Sequence, residues 1–141
     1  MPTRNAEATW EGGLQGGKGS YKAESGSVGG NYSFARFSDD AGGSNPEELL
    51  AAAHAACFSM ALSGQIEKAG GTPQRVNTQA ACTVEKVGPG FKITTMELRT
   101  RAKVSGIDAA RFQEAAQAAK TGCPVSQALA GVDIKLDAAL E

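Results

Sequence analysis

The spacing of apolar residues changes twice along this chain, and each pattern predicts a different kind of structure. Residues 1–44 contain short alternating pieces separated by pairs of glycines, a pattern typical of an antiparallel β-meander. Residues 45–69 are apolar nearly all round a helical wheel, which predicts one long helix buried on most sides. Residues 75–141 return to a period of two and then to a helical period. The strands predicted in the first segment cover about residues 7–11, 19–24 and 32–37.

The start and end of the long helix are well specified. Pro46 suits the first helical position, which makes Asn45 the N-cap, and Glu48 stands three residues after that cap. The glycine pair at 70–71 follows Lys68, so we expect the helix to run from Pro46 to about Lys68.

The third segment predicts an order of strand, strand, helix, helix, strand. Alternate residues Val76 to Val84 share one strand face, and a turn at 87–90 leads into a strand over about 91–104. Asp108 is the expected cap of a helix over about 109–120. The last two elements are a short helix over 124–130 and a strand over 132–136. The fold class is therefore α+β, in a single domain with a long buried helix.

Composition and charge narrow the class of protein. The chain has 141 residues, enough for one domain with a sizeable core. Fourteen basic residues stand against fifteen acidic ones, which gives no indication of a nucleic-acid or anionic-membrane partner. The first seven residues lack the apolar run of a signal peptide, and no stretch approaches the roughly 18 consecutive apolar residues of a membrane span, since His54 and Ser59 interrupt the longest one. We therefore expect a cytoplasmic protein.

Three cysteines are the candidates for chemistry. Cys57 lies inside the apolar helix, where simple packing also explains it, because a buried thiol is inert unless a cation lies beside it. Cys123 precedes Pro124 at a helix start, where the helix dipole favours the thiolate. Cys82 belongs to the alternating strand face and is expected in the core. An attacking and a resolving thiol are the leading interpretation.

His54, the single histidine, precedes Cys57 by one helical turn and lies on the same face. Three interpretations stay open: it polarises the thiol, it completes a metal site with Cys57 and Cys123, or it packs in the core. The ligand spacings of zinc sites are absent, so packing or support of the thiol is the preferred interpretation.

Two segments resemble the OsmC/Ohr family of osmotically inducible and organic-hydroperoxide-resistance proteins. They are residues 45–63, which contain Asn-Pro-Glu-Glu-Leu and His-Ala-Ala-Cys-Phe-Ser-Met-Ala-Leu-Ser, and residues 122–129, Gly-Cys-Pro-Val-Ser-Gln-Ala-Leu. Shorter matches at 10–12, 17–19 and 106–108 resemble the OsmC branch more than the Ohr branch. The resemblance covers essentially the whole chain.

The resemblance implies a fold of antiparallel sheets around a long buried central helix, in an intertwined homodimer. It also implies an enzyme that reduces organic hydroperoxides, and often hydrogen peroxide, without a cofactor or metal. By that analogy Cys57 attacks the peroxide, and its sulfenic acid condenses with Cys123 to form a disulfide. An external dithiol then reduces the disulfide. Lipoyl groups do this for the Ohr branch, and the reductant of this chain stays open.

The resemblance also implies two groups that activate the thiol, Arg36 and Glu47, and Lys18 is an alternative cation. Glu47 precedes Cys57 by ten residues on one helix, which separates their Cα atoms by about 15 Å along the axis. A cluster of Glu47, the arginine and Cys57 therefore favours a dimer in which the carboxylate serves the other subunit.

Two other functions remain as alternatives to the peroxidase. One is a thiol redox switch or stress-related binding protein, whose cysteines sense oxidant without turnover. The other is a structural metal protein.

An apolar helix beside the thiol favours alkyl or lipid hydroperoxides as substrates of the peroxidase, with Phe34, Phe37 and Phe58 as candidates for the pocket wall.

Overall fold

The structure, a computed structural model, describes residues 1–34 and 42–141. These residues divide into two units, Met1–Leu49 and Leu50–Glu141. The boundary between the units falls in the first turn of the long helix.

The N-terminal unit contains a three-stranded antiparallel sheet in the order β1-β2-β3, which confirms the predicted meander. Its strands are β1 (Ala6–Glu11), β2 (Lys18–Ala23) and β3 (Gly29–Tyr32). The third strand begins earlier than predicted, because Gly29 and Gly30 pair with β2 without showing any side-chain alternation. Part of the predicted strand, residues 35–37, lies outside the described residues.

Aromatic packing holds one face of this small sheet together. The Tyr32 ring lies 5.5 Å from the Trp10 ring and 6.0 Å from the Tyr21 ring, measured between centroids. Gly19 is buried beneath them, and a Cβ atom there would lie 2.4 Å from the Tyr32 ring. The residue at this position must therefore lack a side chain for the rings to approach the strand.

Helix α1 (Pro46–Lys68) has the predicted bounds. Asn45 is its N-cap, since the Asn45 Oδ1 accepts the Glu48 N–H at 2.8 Å. The Glu48 carboxylate accepts the Ser44 hydroxyl at 2.9 Å. Beyond the helix, Gly70 adopts a φ of 91°, a left-handed conformation that suits the end of a helix.

The C-terminal unit contains a second three-stranded sheet, in the order β4-β5-β6. Strands β4 (Thr72–Val87) and β5 (Gly90–Ser105) form a long antiparallel hairpin, and β6 (Asp133–Leu140) pairs with β5 in parallel. The prediction of purely antiparallel sheets is therefore wrong for β6. Two helices between β5 and β6 return the chain to the end of the sheet where β5 began, and a strand that starts there runs parallel.

These connecting helices are α2 (Ala109–Gly122) and α3 (Pro124–Ala128). Asp108 caps α2 as predicted, because its Oδ1 accepts the Arg111 N–H at 2.8 Å. Helix α3 ends two residues earlier than predicted.

The core of the C-terminal unit lies between the sheet and the helices. Alternate residues of β5, from Met96 to Ala102, are buried, and the predicted face of β4 packs half-buried beside them. Helix α2 contributes Phe112 and three alanines.

Helix α1 buries one face within a single chain and leaves the opposite face exposed. The buried face carries His54, Phe58, Leu62 and Ile66. Its exposed positions include Ala53, Ala56 and Met60, the last with 77 % of its surface accessible. By length and composition alone, α1 is apolar enough to cross a membrane, yet its buried face belongs to the core.

Candidate active site

The thiols of Cys57 and Cys123 lie side by side in the C-terminal unit. Their Sγ atoms are 2.9 Å apart although 66 residues separate them in sequence, and both cysteines are free. Cys123 is completely buried, whereas Cys57 is half-buried on α1. If the two sulfur atoms moved closer together by less than about 1 Å, they would reach the bond length of a disulfide, about 2.05 Å.

The junction of α2 and α3 holds Cys123 in place. Its backbone N–H donates to the Ala119 carbonyl at 2.9 Å and so closes α2. Pro124 then begins α3, whose first-turn N–H groups point back towards the sulfur. Cys123 is thus fixed by both helices.

Hydrogen bonds favour the thiolate form of Cys123. Burial by itself raises the pKa of this thiol, but hydrogen bonds from the Cys57 thiol, the Ser126 backbone and hydroxyl, and the Val125 backbone together outweigh it. The net effect is a pKa of Cys123 below its ordinary value. The sequence predicted this direction from the helix start alone.

Cys57 shows the opposite behaviour. Burial and its hydrogen bond to Cys123 raise the pKa of the Cys57 thiol, and the Val125 N–H only partly opposes them. Among the described residues, none of the groups that act on this thiol is a cation. Of the two thiols, Cys123 therefore loses its proton more readily than Cys57, unless a further positive charge reaches Cys57.

A buried hydrogen bond joins His54 to the same site. The His54 Nε2 lies 2.7 Å from the Ser126 Oγ, and this bond links residues 72 positions apart. Burial lowers the pKa of His54, which keeps its ring neutral. Its Nδ1 is buried and has no hydrogen-bond partner among the described residues. Ser126 was not singled out from the sequence, because only the fold brings it to His54.

The other predicted site residues lie either outside the described residues or in the N-terminal unit. Arg36 and Phe37 lie outside the described residues. Glu47 is half-buried in the first turn of α1, and Lys18 is exposed at the start of β2, both within the N-terminal unit.

The remaining candidates belong to the core or its margin. Cys82 lies half-buried on β4 opposite Met96 and packs against the core, as predicted. Phe58 is completely buried in the core of the C-terminal unit. Across residues 1–34 and 42–141, no group of three or more His, Cys, Asp and Glu residues is arranged to hold a metal ion.

Comparison with known proteins identifies the family of this chain. Residues 38–137 match the family model described as OsmC-like protein. Peroxiredoxin OsmC of Escherichia coli is 46 % identical over 135 residues, covering 95 % of this chain and 94 % of that protein. Organic hydroperoxide resistance protein OhrB of Bacillus subtilis is 35 % identical over 98 residues, covering 67 % of this chain and 69 % of that protein.

Solved structures show the same fold. The crystal structure of an organic hydroperoxide resistance protein from Elizabethkingia anophelis superposes with a TM-score of 0.77. The two sequences are 26 % identical, and the match covers 100 % of this chain and 98 % of that one. With the family model, the relatives and the fold in agreement, this chain belongs to the OsmC family.

Proposed function

We propose that this protein is a cysteine peroxidase that reduces organic hydroperoxides, and hydrogen peroxide as well, with Cys57 and Cys123 as its redox pair. The observation that carries the proposal is the 2.9 Å separation of the two free sulfur atoms. The names of the relatives, a peroxiredoxin and an organic hydroperoxide resistance protein, support the same chemistry. We place the enzyme in the cytoplasm, with neither a nucleic-acid nor a membrane partner.

In the proposed reaction the thiol pair is oxidised in two steps and then reduced again, and no bound cofactor is needed. The Cys57 thiolate attacks one peroxide oxygen, the O–O bond breaks, and the alkoxide leaves and takes up a proton from water to give the alcohol. The Cys123 thiolate then attacks the sulfur of the Cys57 sulfenic acid, hydroxide leaves, and the disulfide forms. An external dithiol, such as a lipoyl group, reduces the disulfide by thiol exchange.

Cys57 requires a positive charge to become the attacking thiolate, because its surroundings raise the pKa of the thiol. We assign this role to Arg36, with Lys18 as the alternative, and we assign Glu47 the role of orienting the cation. An arginine also has the fork of N–H donors that suits the two peroxide oxygens.

We further propose that the working form is a homodimer in which α1 becomes central. The exposed apolar side of α1 carries Ala53, Ala56 and Met60, whose directions fall within about 60° of one another on a helical wheel. Cys57 lies about 40° from Ala53 and about 60° from His54 on that wheel, at the border of the exposed and buried sides. A second chain packed on the exposed side would come close to the thiol.

The decisive experiment measures dithiol-dependent consumption of cumene hydroperoxide by the wild type and two single-cysteine variants. We expect steady turnover by the wild type and none by Cys57→Ser, which lacks the attacking sulfur. Cys123→Ser should consume about one equivalent of peroxide and stop at a sulfenic acid that dimedone traps. Cys82→Ser is the matched control and should keep turning over.

A redox switch would give a different result. In that case the wild type forms one disulfide and then fails to turn over with dihydrolipoamide or any other dithiol. The peroxidase proposal would then be wrong, and the thiol pair would act as a sensor of oxidant.

A further inference from the structure

The proposed reaction leaves one buried pair of polar residues without a role. His54 and Ser126 are 0 % and 6 % exposed, and their side chains hydrogen-bond to each other at 2.7 Å. The Ser126 hydroxyl also lies close enough to Cys123 to lower the pKa of its thiol. A continuous chain of contacts therefore runs from Cys57 through Cys123 and Ser126 to the His54 ring.

The two chemical steps place opposite demands on the proton that the thiols share. For Cys57 to attack the peroxide, this proton must rest on Cys123, since a thiol is a far poorer nucleophile than a thiolate. For Cys123 to attack in its turn, the same proton must leave Cys123. Once Cys57 is a sulfenic acid, it no longer has a thiolate that can take the proton back.

We propose that His54 and Ser126 form a proton relay that removes the proton from Cys123 for the resolving step. This inference rests on the proposed peroxidase function. When Cys123 is a thiol, its S–H donates to the Ser126 Oγ, and the single hydroxyl proton of Ser126 donates to the His54 Nε2. The Cys123 proton then passes to the Ser126 Oγ as the hydroxyl proton passes to the His54 Nε2. The resulting imidazolium later returns a proton to the hydroxide released from Cys57, and the product is water. No oxidant or reductant beyond the sulfenic acid is required.

The environment of His54 suits a transient base. A neutral ring with its Nδ1 protonated presents a free lone pair on Nε2 towards the Ser126 hydroxyl. The buried Nδ1 has no partner among the described residues, so within that part of the chain no carboxylate holds the charged form of the ring. The imidazolium is therefore short-lived and releases its proton readily. His54 acts through Ser126 and is a positioning residue, whereas Ser126 touches the reacting sulfur.

The test separates the two chemical steps in Ser126→Ala and His54→Gln. A stopped-flow experiment follows the first step as loss of the Cys57 thiol and the second as formation of the disulfide, with dimedone trapping of the sulfenic acid. Acid–base catalysis by a positioned side chain is worth about 100-fold or more. We expect disulfide formation to slow by at least about 10-fold in Ser126→Ala, while the first step changes by less than about 3-fold and the sulfenic acid accumulates.

Two further variants make the comparison specific. Ser126→Thr keeps the hydroxyl and should restore most of the resolving rate. His54→Gln keeps a hydrogen-bonding amide but cannot accept the proton, so it should remain slow. Ser59→Ala is the matched control, because Ser59 lies on the same helix as His54 but its hydroxyl donates to the Thr78 hydroxyl of β4 at 2.7 Å. It should resolve at the wild-type rate.

A measurement on the unaltered protein guards against variants that fail to fold. Resolution by the wild type in D₂O should be slower than in H₂O, because protons move in that step. Disulfide formation with no solvent isotope effect, or variants that resolve as fast as the wild type, would overturn the relay and leave the peroxidase intact. A wild type that never forms the disulfide would instead overturn the proposed function itself.

Discussion

At the scale of single residues, the burial of His54 has a consequence for stability as well as for chemistry. The ring is completely enclosed, and burial lowers its pKa from the ordinary value of 6.5. The folded chain therefore holds a neutral histidine at a pH where the unfolded chain already binds a proton. Protonation favours the unfolded state under these conditions.

This difference in proton binding predicts a pH dependence of folding. As the pH falls through 6.5, the unfolded chain takes up a proton at His54 that the folded chain excludes, so the free energy of unfolding decreases. The slope approaches at most about 1.4 kcal/mol per pH unit. Urea unfolding of reduced protein between pH 7.5 and about 5, at one protein concentration, measures it.

His54→Gln is the control for that experiment, because it removes the titrating group. The variant should lose most of the slope in this range. The pKa of the exposed Asp137 is lowered from its ordinary 3.8, chiefly by its hydrogen bond to Arg101, so this carboxyl stays largely ionised across the window. Equal slopes in the variant and the wild type would assign the pH dependence to other groups.

The two thiols and Ser126 show what the sequence reveals about single residues. Cys57 and Cys123 were predicted as a pair because a thiol in an apolar helix and another at a helix start are unusual settings. Ser126 was missed because serine carries little signal by itself. Its role depends on a histidine 72 positions away, and only the packed fold brings the two together.

At the scale of elements, local capping signals were the most reliable guide. Asn45 and Asp108 were both predicted as N-caps, and each accepts a backbone N–H three residues ahead at 2.8 Å. These signals work because the cap and the donor lie within a few residues of each other. The parallel pairing of β6 was missed since no local residue pattern encodes which strand lies beside it.

The cap of α2 gives a prediction at this scale. Asp108→Ala removes the acceptor for the Arg111 N–H and should lower the free energy of unfolding by about 1 kcal/mol. Asp108→Asn keeps an acceptor of the same shape and should stay close to the wild type. Chemical denaturation with both variants at equal concentration measures the difference. A loss of stability in Asp108→Asn equal to that in Asp108→Ala would show that the charge matters, and the capping oxygen does not.

At the scale of the whole molecule, α1 has an apolar side that a single chain leaves exposed. One side of the helix lies in the core, and the opposite side presents Met60 with 77 % of its surface accessible. Exposed apolar patches on soluble domains commonly mark contacts with another protein. The proposed homodimer would cover this side.

The dimer gives a prediction that a single substitution tests. Met60→Glu should place two carboxylates against an apolar contact between the subunits, and we expect it to shift the protein towards monomers and reduce peroxidase turnover. Size-exclusion chromatography with light scattering measures the mass, and Val87→Glu, at an exposed valine on the β4–β5 turn, is the matched control. A Met60→Glu variant that stays dimeric would exclude this side of α1 from the interface.

The redox cycle should also change the thermodynamic stability of the fold, because the two cysteines lie 66 positions apart in sequence. A disulfide across that span would close a large loop in the unfolded chain and lower its conformational entropy. This loss would raise the free energy of unfolding by about 4 kcal/mol. The oxidised enzyme would thus be harder to unfold than the reduced one. Each round of peroxide reduction would raise the free energy of unfolding, and each reduction by a dithiol would lower it again. A cell rich in oxidant would therefore hold this protein in its more stable form.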